Sequence, residues 1–65
     1  MRERIDKARR EGRRIKLIFE YPNAKSAKVR RGTVTKTRGK NFDFQEDKDG
    51  EATYSYKYLV EVNNI

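Results

Sequence analysis

A mainly β domain, α+β by count, is the fold that the sequence predicts: a short N-terminal helix, then five short antiparallel strands bent strongly into a small barrel. Three observations predict it. Apolar residues recur at helical spacing only near the N-terminus, period-two alternation marks the segments around Leu17, Phe42 and Tyr54, and clusters of turn-forming residues separate those segments. In 65 residues with 34% hydrophobic content these elements make one domain, with the helix at about 2–11 and the barrel at about 13–63. A chain this short buries only roughly 60% of its unfolded surface, so the core is thin.

The helix is predicted over Arg2 to Glu11, where Met1, Ile5 and Ala8 share one face and charges cover the rest. Glu3 with Lys7 and Asp6 with Arg10 are acid-before-base pairs at i, i+4, and Gly12 is placed to stop the helix in the left-handed region. About ten residues do not hold a helix in water alone, so Ile5 and Ala8 must dock on the sheet.

The first strand is expected from Ile15 to Tyr21, with Ile15, Leu17, Phe19 and Tyr21 alternating against Lys16, Ile18 and Glu20. Pro22, Asn23, Lys25 and Ser26 then turn the chain. In the second strand, Lys28 to Arg38, Val29 and Val34 have opposite parity, and a bulge or bend at Gly32 is expected to bring both inward. After a turn at Arg38 to Asn41, Phe42 and Phe44 alternate with Asp43 and Gln45 in a short third strand. Asp47 to Gly50 suits a tight hairpin with Gly50 at positive φ, returning through Thr53 to Tyr56 with Tyr54 and Tyr56 on one face. Lys57 to Leu59 forms a single turn before a last strand from Val60 to Val62, in which both valines point one way, and Asn63 onward is expected to fray. Closure into a barrel would hide the strand edges.

Charge follows the chain unevenly. Of the net +7, residues 1–14 hold +4, residues 15–40 hold +7 and residues 41–65 hold −4. From Ala24 to Lys40 seven bases meet no acid. Such a stretch is either a solubilising face or an anion-binding one.

Chemistry other than binding finds little support. With no cysteine and no histidine, disulfides, thiol nucleophiles, the commonest general base and the commonest zinc ligand are all missing. Asp47, Asp49 and Gly50 resemble the middle of a calcium loop, but the alignment puts Gln45 first and Tyr56 twelfth, where Asp and Glu are required. Gly39 and Lys40 resemble the end of a phosphate-binding loop, but Val34 stands where its first glycine belongs and Asn41 follows the lysine. Ser26 and Ser55 have no histidine to activate them. The sequence therefore reads as a non-enzymatic protein with no cofactor and no metal. No apolar run approaches the roughly 18 residues of a membrane span, and the charged N-terminus has no signal-peptide core, so a cytoplasmic location is expected.

What remains is basic residues interleaved with aromatics. The expected anion contacts are Lys28, Arg30, Arg31, Lys36, Arg38 and Lys40, with Phe42, Tyr54, Tyr56 and Tyr58 as candidate stacking platforms. Cations along a groove with exposed rings are the physical recipe for single-stranded RNA or DNA. The aromatics serve equally as core in so small a domain.

The helix bearing Ile5 and Ala8, the run Gly12-Arg13-Arg14-Ile15-Lys16-Leu17-Ile18-Phe19-Glu20-Tyr21, the basic second strand, the aromatic third strand and the run Thr53 to Val62 together resemble the WYL domain of bacterial regulators over nearly the whole chain. The resemblance implies an Sm-type variant of the SH3-like barrel that senses nucleic acid or nucleotide-like ligands through basic and aromatic residues. The Trp-Tyr-Leu tripeptide of that family would fall near Asn41-Phe42-Asp43-Phe44, and its last-hairpin arginines near Ala52, Ser55 and Tyr58, none of them basic. Gly32-Thr33-Val34 and Asn41 to Phe44 are also loosely similar to Sm and Hfq proteins, isolated barrels that bind RNA and form rings. The expected function is thus nucleic-acid binding. The alternatives are a protein-interaction or inhibitor module of a phage or other mobile element, meeting its partner through the acidic hairpin or a barrel edge, and a binder of a nucleotide-type ligand. A homo-oligomer is left open.

Overall fold

The computed structural model describes all residues from Met1 to Ile65. Helix α1 (Arg2–Glu11) precedes strands β1 (Arg14–Phe19), β2 (Lys28–Thr37), β3 (Asn41–Glu46) and β4 (Gly50–Ser55), a single 3-10 turn (Tyr56–Tyr58) and β5 (Leu59–Asn64). The strands form one antiparallel sheet in the order β4-β3-β2-β1-β5. No helix is long and apolar enough to cross a membrane.

Local signals explain α1 and its end. Gly12 adopts φ 61°, its N–H donates to the Arg9 carbonyl at 3.2 Å, and the Arg13 N–H donates to the Ala8 carbonyl at 3.0 Å, which completes a Schellman cap. Asp6 bridges Arg9 at 2.9 Å and Arg10 at 3.5 Å, whereas the expected Glu3–Lys7 pair does not form. Ile5 and Ala8 are buried as expected, and Met1 stays exposed. They join Ile15, Leu17 and Phe19 of β1, Val34 of β2, Phe42 and Phe44 of β3, and Leu59 and Val62 of β5 in a single ten-residue core. Tyr21, Tyr54, Tyr56 and Tyr58 pack on its margin.

β2 is the hub of the sheet. Its first part, Lys28 to Thr33, pairs with β1, and its second, from Gly32 onward, pairs with β3. Gly32 is not a bend that turns Val29 inward: Val29 stays exposed on the outer face and only Val34 is buried. The glycine is needed for close approach instead, because a Cβ there would lie 2.0 Å from the Gln45 carbonyl oxygen. The irregularity in β2 falls between Val34 and Lys36.

β5 also departs from expectation. Leu59 and Val62 face the core and Val60 is exposed, because the β1–β5 register shifts between Ile18 and Phe19 and sets Leu59 opposite Phe19. The strand continues through Asn63 and Asn64, paired with Lys16 and Ile15, so the C-terminal asparagines do not fray. β1 ends at Phe19, two residues early, as the Glu20 N–H turns to the Tyr58 carbonyl at 2.9 Å. The Asp47–Gly50 hairpin forms as expected, with Gly50 at φ 81°.

The closed, strongly bent barrel is corrected to a five-stranded sheet whose edges, β4 and β5, do not pair with each other. Side chains rather than backbone bonds span from β1 to β4 across the core: the rings of Phe19 and Tyr54 lie 4.9 Å apart.

Candidate anion-binding surface

Folding remixes the charges that the chain keeps apart. The β3–β4 hairpin brings three of its acids onto three arginines from the basic half. Arg14 Nε donates to both carboxylate oxygens of Asp47, at 3.1 and 2.9 Å. Arg38 forks onto Asp43 at 2.7 and 2.8 Å, and Thr53 donates to the same carboxylate at 2.7 Å. Arg30 Nε reaches the Tyr54 hydroxyl at 3.3 Å and Glu46 at 3.6 Å, while the Tyr54 hydroxyl itself donates to Glu46. The Glu46 side chain is only 9% exposed, so this network is built into the domain. Burial, reinforced by the bond to Glu46, pushes the Tyr54 phenol above its ordinary pKa.

The expected contacts therefore divide. Arg30 and Arg38 are held by acids, whereas Lys28, Arg31, Lys36 and Lys40 form no ion pair. Strand register sorts them further. Lys28 and Arg30 share the parity of Gly32 and Val34, facing the core side at its rim, and Arg31 lies on the outer face. Past the register shift Lys36 stands opposite Asp43 on that outer face, and Lys40 is exposed in the β2–β3 turn.

The sheet adds a base that was not singled out from sequence. Lys16 is directly opposite Arg31 across the β1–β2 pair, and neither has an ion-pair partner. Asp47 is near enough to Arg31 to feel its charge, but its carboxylate is occupied by Arg14. Alternation with Ile15 and Leu17 already marks Lys16 as outward. Only the pairing of β1 with β2 reveals its neighbour.

The four candidate stacking rings fall on the other side. Phe42 is fully buried, and Tyr54 packs against Phe19, Phe42 and Phe44. Tyr56 lies 5.1 Å from Phe42 with Arg2 over its ring at 5.0 Å. Tyr58 packs on Tyr21 at 5.1 Å and has Lys57 over it at 5.5 Å.

The three main surface clefts measure about 140, 180 and 220 Å³. All lie below the roughly 300 Å³ at which ligand pockets usually begin. The cleft beside Arg31 mixes Arg30, Arg31 and Lys48 with Glu46, Asp47 and Asp49, a lining of no single sign. No group of three or more acidic side chains converges to hold a metal.

The Arg38 fork, followed by the Thr53 hydroxyl, holds the Asp43 carboxyl down from 3.8 to about 2. A depressed folded-state pKa stabilises above the unfolded value and is lost as pH falls through the folded one. Melting temperature followed by circular dichroism is therefore expected to fall between pH 3.8 and about 2, and Asp43→Asn to start lower at neutral pH and lose less in that window. An unchanged pH profile in the variant would show that the fork does not stabilise the fold.

No family model matches the chain, and no curated protein or solved structure matches it significantly.

Proposed function

We propose that this is a non-enzymatic module that binds nucleic acid through the outer face of its sheet, with Lys16, Arg31 and Lys36 meeting phosphates, Lys40 beside them in the β2–β3 turn and Lys28 at the rim on the core side. The observation that supports this most is the Lys16–Arg31 pair. Like charges directly opposite on neighbouring strands are destabilising, and the three arginines that meet the β3–β4 hairpin, Arg14, Arg30 and Arg38, are each answered by an acid. A pair without an ion-pair partner on the outer face of the sheet suits an anionic partner that supplies the missing charge.

The order of one helix and five strands is the one expected of the small WYL-like and Sm-like barrels that the sequence resembles, without their closure. The shallowness and mixed lining of the clefts argue against the nucleotide-pocket alternative. The two unpaired edges, β4 and β5, favour a protein partner as the second reading, by strand addition.

Lys16→Glu separates binding from scaffolding. It replaces the repulsion with a cross-strand ion pair to Arg31, so stability is expected to rise by about 0.2–1 kcal/mol. Affinity for a mixed-sequence oligonucleotide is expected to fall at least about ten-fold, and the log–log salt slope to flatten by about 0.7–0.9 for the lost phosphate contact. Denaturant titration and fluorescence anisotropy read the two effects. Salt-independent binding, or affinity that Lys16→Glu and Arg31→Glu leave intact, would overturn the proposal.

A further inference from the structure

We infer that the nucleic acid bound is double-stranded and is held by its backbone without base readout, an inference that rests on the nucleic-acid reading above. The sheet separates the two ingredients that single-strand recognition needs in one place. The unpaired cations Lys16, Arg31 and Lys36 project from the outer face, whereas all four candidate rings lie with the core or on its margin. Those rings are already engaged: Phe42 is sealed in, the Tyr54 hydroxyl is bound to Glu46, and Tyr56 and Tyr58 each lie beneath a cation of this chain.

Between the cations the outer face offers Thr33 and Gln45, polar groups suited to phosphate or sugar oxygens, with Ile18 and Val29 at one end, while the Thr35 hydroxyl is committed to Glu51 at 3.1 Å. No ring is available there to stack a splayed base. Stacking is what favours single strands in sequence-tolerant binders. Without it the phosphates decide, and a duplex presents one charge per about 1.7 Å of axis against one per about 3.4 Å along each strand, releasing more counterions per contact.

Spacing agrees. Arg31 and Lys36 are five residues apart on β2, but the irregularity between Val34 and Lys36 leaves four regular ladder steps, about 13 Å at the rise of a strand, and Lys16 doubles the charge at the Arg31 end. Two cationic points so placed reach both walls of a groove about 12 Å wide, which a single flexible strand does not present.

The test uses the intact protein with end-labelled duplexes of about 20 base pairs, DNA and RNA, against their component single strands, over about 50 to 200 mM salt. At least one duplex is expected to bind about five-fold or more tightly than its strands, with a steeper salt slope and with affinity unchanged when the base order is scrambled. Single strands bound as tightly as the duplexes, or affinity lost on scrambling, would overturn this inference while leaving nucleic-acid binding in place. No salt-sensitive binding of any of the four would overturn both. Tyr58→Leu adds an independent readout: unchanged single-strand affinity agrees with the inference, and a drop of about ten-fold at unchanged melting temperature assigns that ring to base stacking and overturns it.

Discussion

Gly32→Ala is expected to destabilise the domain by about 3 kcal/mol or more and to lower its urea midpoint sharply. Gly32 is where β2 passes from one neighbour to the other, opposite Ile15 on β1 and Glu46 on β3. An added Cβ would meet the Gln45 carbonyl oxygen at 2.0 Å, with the Gln45 carbonyl carbon and the Glu46 Cα both at 2.9 Å. All three are backbone atoms at the C-terminal end of β3, paired there with both β2 and β4, so relief requires parting the β2–β3 ladder at that end. A forced fit of this kind costs about 3 kcal/mol or more. At about 0.05–0.15 kcal/mol per residue, the whole domain is stable by only about 3–10 kcal/mol. Far-UV circular dichroism and urea denaturation measure the loss. Gly39→Ala, with nothing within 4 Å of its Cβ, is the control and is expected to change stability by no more than about 0.5 kcal/mol. Equal urea midpoints for the two variants would show that β3 does not approach Gly32 so closely.

Phe42→Ala is expected to lower stability by about 3–5 kcal/mol, a large share of a margin of about 3–10 kcal/mol. Phe42 is fully buried, edge-on to Phe44 with centroids 6.4 Å apart, and 5.1 Å from Tyr56. Its removal opens a cavity that strands on both sides cannot close. A ring that served a ligand would behave in the opposite way: truncation would leave the melting temperature unchanged and reduce affinity. Thermal unfolding monitored at several probes distinguishes these outcomes, and an unaltered transition would remove Phe42 from the core.

The parts of this fold that were legible in the sequence are those governed by near neighbours. Ile5 and Ala8 at helical spacing, Gly12 as a cap and Asp47–Gly50 as a hairpin depend on a few consecutive residues. Val60 faces outward because of a register shift at Ile18/Phe19 that exists only once β1 and β5 pair, whereas Val29 keeps plain alternation with Val34, the irregularity expected at Gly32 lying instead between Val34 and Lys36. Closure is not encoded in any one strand either, since it depends on whether β4 meets β5.

The candidate site shows the same limit in electrostatic form. Counting charge by segment made Arg30 and Arg38 look as free as Lys36. The hairpin then returned Glu46 and Asp43 to them, and Asp47 to Arg14 across 33 positions of sequence. Lys16 went unnoticed because its significance lies in Arg31, which is distant along the chain and adjacent across it.

All six ion pairs are made by arginine, through Arg9, Arg10, Arg13, Arg14, Arg30 and Arg38, and none by lysine. Planar guanidinium forks hold the architecture and flexible ammonium groups face the solvent. Charge and fold are consequently addressable by different chemistries. Acetylating the eight lysine amines would take the formal charge from +7 to −1 while sparing every guanidinium–carboxylate contact that ties the hairpin to the rest of the sheet.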